Sequence, residues 1–339
     1  MALAELPLVR LRFDLETLED AHVPPYKGDM LRMALLWWLS EYWCPMPQRC
    51  RHGCRQPGLC MFGRLCEPPV NPEWPGKIRH LVGNTPPPAY VLWDRGDRRR
   101  FLAGGSQWSF ELALVGDLAL RQIPAVLAAV QQGAEEGMGR VRLRSRVMRV
   151  TALHGSETQP HPPCLAEQMP HGEDSALTWQ DFSLDEVSLG YDDALRWAEH
   201  CDRPVGALAI SYLSPVKIKE RGQWVEMPYF LPVMKAVIRR LRILSVVHGA
   251  GEWPHSEWGP LLDLAETVHM DHDESFSTGY TRRSKQSGRQ EIEGFAGQVW
   301  YAAKDLRPLL PVLWLGQWLH IGKGYVLGNG RYSIDRVLS

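Results

Sequence analysis

The sequence predicts an α+β protein made of two tandem ferredoxin-like (RRM-like) domains with antiparallel sheets, the first carrying a cysteine-rich insertion. Three observations predict it. At 339 residues the chain exceeds one ordinary core and fits two domains of usual size. Strand-like and helix-like segments alternate through both halves. The halves also share an order of elements. AGGSQWSFELALVGDLALRQIPAVLAAVQQGAEEGMGRVRL and EGFAGQVWYAAKDLRPLLPVLWLGQWLHIGKGYVLGNGRYSI each run glycine, strand, short acidic link, apolar helix, Gly-x-Gly and basic strand. Gly105 and Gly139 bound the first copy, Gly294 and Gly330 the second. A βαβ-rich unit written twice is the pattern of a duplicated split βαβ fold. The expected domains are 1–153 and 179–339, joined by a Pro-, Gly- and polar-rich linker at 154–178.

Residues 6–15, LPLVRLRFDL, turn Val9, Leu11, Phe13 and Leu15 one way and Leu8, Arg10, Arg12 and Asp14 the other, the period of a half-buried strand. PPYKGD breaks it. MLRMALLWWLSEYW (30–43) has no Pro or Gly and predicts a buried helix with Asp29 as N-cap. Residues 44–76 are too rich in Cys, Pro and Gly for regular structure. QWSFELALVG (107–116) predicts a strand, and IPAVLAAVQQG (123–133) a helix closed by glycine. GMGRVRLRSRV predicts a glycine turn feeding a strand, with Arg140, Arg142, Arg144 and Arg146 on one face of 140–147. In the second half, GALAISYLSPVKI predicts a strand and PYFLPVMKAVIRRLRILSVVHG a long amphipathic helix stopped at Gly249. FAGQVWYA predicts a strand, and LRPLLPVLWLGQW a helix broken at Pro311.

A net charge of −1 argues against a uniformly basic nucleic-acid coat but allows local stripes. Three exist: RGDRRR (95–100), RVRLRSRVMR (140–149) and RRSKQSGR (282–289), offset by acidic stretches at 14–20 and 181–193. No apolar run is long enough to span a membrane. MALAELPLVRLRFDLE alternates and carries charge, which predicts neither signal nor transit peptide, so the expected location is the cytoplasm. Fourteen tryptophans serve either as core or, for one or two, as base-stacking platforms.

Two segments carry candidate chemistry. LHIGKGYVLGNGRYSI (319–334) sets Gly322, Gly324, Gly328 and Gly330 among His320, Lys323 and Arg331. Its glycines follow a helix and lead into a strand, the reverse of a Rossmann fingerprint, and GxxxxGK[ST] is absent. Bare N–H groups beside cations predict a phosphate seat; a tight turn packing the last strand is the alternative. In CPMPQRCRHGCRQPGLCMFGRLC (44–66) five cysteines cluster, which in a cytoplasmic chain predicts metal before disulfides. Four thiolates suit tetrahedral zinc, and an iron–sulfur cluster uses the same ligands.

The basic RRSKQSGR segment, the GFAGQVWYA strand, the Pro/Leu helix and the closing GKGYVLGNGRY together resemble the C-terminal domain of the CRISPR repeat-processing endoribonucleases of the RAMP superfamily. Residues 205–249 are similar too, and KGDMLRMAL (27–35) resembles the family's first helix, with Met33 in place of glycine. Leu327 and Asn329 depart from its closing motif. The resemblance implies an enzyme that binds precursor CRISPR RNA and cuts it in the repeat. It would need no catalytic metal: a 2′-hydroxyl attacks the adjacent phosphate, leaving a 2′,3′-cyclic phosphate. Retention of the crRNA and association with other CRISPR effector subunits are also implied, as is a non-cutting alternative on the same fold. It assigns His22 as acid or base, with Tyr26 or Lys27 assisting, although His22 also reads as a plain loop residue. Arg32 would stabilise phosphate or tie its helix to the glycine loop. His320, Gly322, Lys323, Gly324, Gly328, Gly330 and Arg331 would hold RNA, with Arg282, Arg283, Lys285 and Arg289 gripping its backbone. The family's cysteine set maps to Cys44, Cys50, Cys54 and Cys60; Cys66 is spare and His52 a weaker ligand.

Overall fold

The computed structural model describes residue 3 and residues 5–46, 57–153, 188–284 and 288–338. The expected linker lies outside them. The first domain comprises β1 (Leu8–Thr17), β2 (Ala21–His22), α1 (Gly28–Trp43), α2 (Met61–Cys66), α3 (Gly76–Val82), β3 (Tyr90–Trp93), β4 (Phe101–Leu102), β5 (Gln107–Val115), α4 (Asp117–Leu120), α5 (Ile123–Glu136) and β6 (Ser145–Ala152). The second comprises α6 (Tyr191–Glu199), β7 (Ala207–Val216), β8 (Lys219–Glu220), β9 (Gln223–Trp224), α7 (Phe230–His248), α8 (His255–Ala265), β10 (His269–Ser284), β11 (Gly288–Ala302), α9 (Leu310–Leu319) and β12 (Tyr332–Leu338).

The main sheets have one topology. Their orders are β3-β5-β1-β6 and β10-β11-β7-β12, with antiparallel neighbours throughout. In both, the first strand lies between the third and the last, the ferredoxin-like arrangement. The two Gly-x-Gly turns occupy equivalent places after the second helix, and Gly137, Gly139, Gly328 and Gly330 all have positive φ.

Alternation in β1 does what its pattern requires. Val9, Leu11, Phe13 and Leu15 are buried in the first core, where Phe13 stacks on Phe110 with centroids 4.9 Å apart. The second core gathers α7, α9 and the inward residues of β7, β11 and β12. Among the described residues no helix is long and apolar enough to cross a membrane.

Five local expectations are corrected. Asp29 does not cap α1: Lys27 holds the N-cap position, and Asp29 lies in the first turn. The 44–76 stretch is not wholly irregular, since α2 forms inside it, with the Cys60 sulfur accepting the Gly63 N–H at 3.3 Å. Residues 140–147 are not one strand. Met138 and Leu143 bridge across a tight turn, Arg142 has φ +49°, and β6 begins only at Ser145. Pro311 opens α9 rather than breaking it, because its missing N–H falls where no helical bond is needed. Arg282–Ser284 and Gly288–Arg289, in a segment whose polar composition reads as an exposed loop, instead end and begin the strands of a long hairpin, β10–β11.

The domains meet through the outward face of the first sheet. Arg10 of β1 and Arg95 both pair with Glu111 of β5, the former at 3.1 Å. The Arg10 guanidinium lies 3.5 Å from the Trp318 ring centroid, and that of Arg331 lies 4.6 Å from the same ring and 4.9 Å from Trp93. Glu111 is pushed up by burial, but the surrounding Arg10, Arg331 and Arg95 charges outweigh that and hold its carboxyl below the usual range.

Candidate functional site

The glycine-rich segment is a joint between domains. Gly28, opening α1, sits so close to the Leu327 carbonyl that a Cβ would collide with it. Gly330 (φ +78°) approaches the Ile321 carbonyl equally closely, which is why these positions are glycine. The N–H groups are not bare: Lys323 donates to Lys217 O, Leu327 and Asn329 to Gly324 O, Gly328 to Tyr325 O and Gly330 to Pro215 O. Gly322 and Gly324 are half-buried, and Gly328 and Gly330 are buried. Arg331 and His320 are not on the surface either. Arg331 is 3% exposed and donates to the Gln317 carbonyl; His320 is 2% exposed, with burial first and the Arg331 charge next holding its ring neutral. Lys323 remains exposed.

The first-domain residues divide similarly. Lys27 is fully buried, its Nζ donating to the carbonyls of Asp97 at 2.7 Å and Arg99 at 3.0 Å and facing the Asp97 carboxylate at 3.4 Å. Burial pulls its pKa down, against the pull of Asp97. Burial also pushes Asp97 up, but hydrogen bonds from Arg99 and the Lys27 charge overcome it and bring the carboxyl to about 2. Lys27 therefore clamps the 94–99 loop instead of facing solvent. His22 is exposed on β2, its ring 5.2 Å from that of Phe101. Arg32 is half-buried beside the Tyr90 phenol.

Tyr26 lies where both domains converge. Its ring stacks on Tyr280 of β10, centroids 4.0 Å apart, with the Arg98 guanidinium 4.2 Å from the Tyr26 centroid. Arg98 is held by Asp94 at 3.0 Å. Tyr280 donates to Asn329 Oδ1 at 3.2 Å, and Arg282 pairs with Asp29 at 3.0 Å. The start of α1, the 94–99 loop, the hairpin and the glycine-rich segment thus meet at one junction built from two phenols and two guanidinium groups. Sequence reading missed Tyr280 and Arg98. Arg98 lay in a noted basic stripe, but nothing local marked Tyr280, whose partner comes from the other domain. Of the other hairpin cations, Arg289 is exposed near Glu291, and Arg283 is in β10. Lys285 lies outside the described residues.

Cys50, Cys54 and His52 also lie outside the described residues. Cys44 follows the end of α1 and Cys60 caps α2. Among the described residues no group of three His, Cys, Asp or Glu could hold a metal. Burial pushes the Cys66 thiol well up, as suits an inert core sulfur.

Residues 210–332 match the family model of the CRISPR-associated endoribonuclease Cas6. The second domain is similar to the Cas6 endoribonucleases. The Cas6 match runs from β7 into β12 and so takes in the hairpin and the glycine-rich segment. Residues 6–172 match a separate family model, that of an N-terminal domain. A Cas6 product complex is similar in fold, with TM-score 0.54 at 12% identity over 96% of this chain and 99% of that one. So is Thermus thermophilus Cas6, with TM-score 0.50 at 12% identity over 98% and 99%. A partial Cas6-RT-Cas1–Cas2 complex matches with TM-score 0.56 at 13% identity over 99% of this chain but 47% of the other. No curated protein matches the chain.

Proposed function

We propose that this protein binds the repeat of precursor CRISPR RNA and cleaves it at the junction around Tyr26 without a catalytic metal. The observation that carries the reading is the meeting of Tyr26, Arg98, Tyr280 and Arg282, drawn from both domains, four residues along the chain from the exposed His22 of β2. Attack of the 2′-hydroxyl on the neighbouring phosphate needs a base, an acid for the leaving 5′-oxygen, and positive charge on the phosphorane oxygens. His22, whose ring is accessible, is the acid or base; Tyr26 assists; Arg98 and Arg282 supply charge. Lys27 and Arg331 are spent on structure. The match of residues 210–332 to the Cas6 family model supports the reaction class. The product complex among similar structures supports crRNA as ligand, and the Cas6-RT-Cas1–Cas2 complex supports other CRISPR proteins as partners. After cleavage the protein keeps its crRNA.

The test is incubation with a labelled repeat hairpin in EDTA. A cut leaving a 2′,3′-cyclic phosphate is expected. Binding without a cut overturns the enzymatic reading in favour of a non-cleaving crRNA-binding subunit, which the absence of histidine from α1 favours.

We also propose that Cys44, Cys50, Cys54 and Cys60 bind a structural zinc. Clustering in a segment whose two ends, Cys44 and Cys60, finish one helix and begin the next supports it. Elemental analysis should find one zinc per chain; iron with sulfide would indicate a cluster, and neither metal would end the proposal.

A further inference from the structure

Trp224 lies outside everything assigned above. It ends β9, in the short hairpin that follows β7, and is 45% exposed. Three ammonium groups surround its ring: Lys217 Nζ at 4.8 Å from the centroid, Lys219 at 5.5 Å and Lys323 at 5.7 Å. They arrive from separate parts of the chain. Lys217 and Lys219 follow β7, whereas Lys323 is delivered by the glycine-rich segment. Its amide donates to the Lys217 carbonyl at 2.8 Å, and Gly322 fits that carbonyl too closely for any Cβ.

Neutralising carboxylates are scarce here. Glu220 is taken by Lys235 at 2.6 Å, and Glu293, 3.8 Å from Lys217, is itself 66% exposed. Three like charges around one exposed ring repel each other and become favourable when an anion enters. The indole face adds a second requirement, a flat π-system to stack on. An acidic peptide or a lone phosphate would satisfy the lysines and leave the ring bare. A single-stranded nucleic acid satisfies both, with one base on the indole and its phosphates among the ammonium groups.

We infer that Trp224, Lys217, Lys219 and Lys323 form a subsite for an unpaired nucleotide of the bound RNA, resting on the RNA-binding reading above. The glycine-rich segment links it to the Tyr26–Tyr280 junction: Lys323 stands at this subsite, and Asn329 accepts from Tyr280 at the other. A hairpin stem held at that junction would therefore run out into a single-stranded flank over Trp224.

The test compares two RNAs by fluorescence anisotropy with the full chain: the repeat hairpin with its single-stranded flanks, and the hairpin trimmed flush. Trp224→Ala should weaken the flanked RNA roughly tenfold or more, the size of one lost base stack, and change the trimmed one less than about twofold. Trp224→Phe should retain most of the affinity. Replacing the three lysines together by alanine should reduce the salt slope of log affinity for the flanked RNA by about two. Trp224→Ala binding the flanked RNA like wild type, or losing both RNAs equally, would overturn the inference. Wild-type protein that binds neither RNA would instead overturn the functional reading on which it rests. Trp224 is outside both cores, so thermal melts of the variants should match wild type.

Discussion

Tyr26 of the first domain and Tyr280 of the second stack nearly parallel, 14° apart in plane, and this contact joins the loop before α1 to the β10–β11 hairpin. An aromatic pair of this kind contributes about 0.5–1.5 kcal/mol beyond its buried area. Replacing Tyr280 by Ala should release Tyr26 and the Asn329 contact and slow single-turnover cleavage of the repeat. Tyr280→Phe keeps the stack and loses only the hydroxyl, so it should cut close to the wild-type rate. Equal loss in both variants would mean that the hydroxyl, not the stack, matters.

His22 is exposed and makes one ring contact, so its removal should leave the fold intact. His22→Ala is expected to slow cleavage by roughly 100-fold or more, the usual contribution of a positioned acid or base. An unchanged rate at saturating enzyme removes His22 from the mechanism.

Lys27 should behave in the opposite way. Lys27→Met leaves the Asp97 and Arg99 carbonyls without a donor and should cost about 1–3 kcal/mol in urea unfolding. Where the variant is still folded, its cleavage should fall far less than that of His22→Ala. A large rate loss with unchanged stability would return Lys27 to the chemistry.

Gly28→Ala forces a methyl into the Leu327 carbonyl and should destabilise the domain junction by about 1–3 kcal/mol. Gly76 also begins a helix but has open space around it, so Gly76→Ala is the control and should melt like wild type. If both variants melt alike, the close packing of Gly28 is not stabilising.

The His248 ring donates to the Pro87 carbonyl across the domain junction at 2.8 Å, and burial lowers its pKa from 6.5 to about 4. The folded protein holds this ring neutral, whereas the unfolded chain takes up a proton near pH 6.5. The stability it secures is complete above pH 6.5 and is lost as pH falls toward 4, by up to about 3 kcal/mol. Urea titrations at pH 7.5, 6 and 5 should show the decline, and His248→Gln should flatten it. A slope unchanged in His248→Gln would assign the decline to other groups.

Much of the fold was legible in the sequence because burial imposes its period locally. The alternation in β1, the amphipathic face of α7 and the matched Gly-x-Gly turns all announced themselves within a few residues. The outer half of the β10–β11 hairpin did not, although FAGQVWYA marked the inner part of β11. Its exposed strands carry serine, glutamate and arginine, with no apolar period to betray them. The site was legible in part: Tyr26 was named, yet its stacking partner lies in the other domain. Lys27, Arg331 and His320 misled because a cation in a loop reads as exposed. Their burial depends on carbonyls and rings contributed from elsewhere, namely Asp97, Gln317 and Trp318.

The Gly28–Leu327 contact also sets an order in time. A ribosome releases Gly28 early and Leu327 only after almost the whole second domain. The first domain therefore waits, with the start of α1 uncovered, until that late segment emerges and closes over it. A chain interrupted before Leu327 would hold Tyr26 in sequence but lack Asn329, which accepts from its stacking partner Tyr280. The junction around Tyr26 is thereby completed only once that segment has been made.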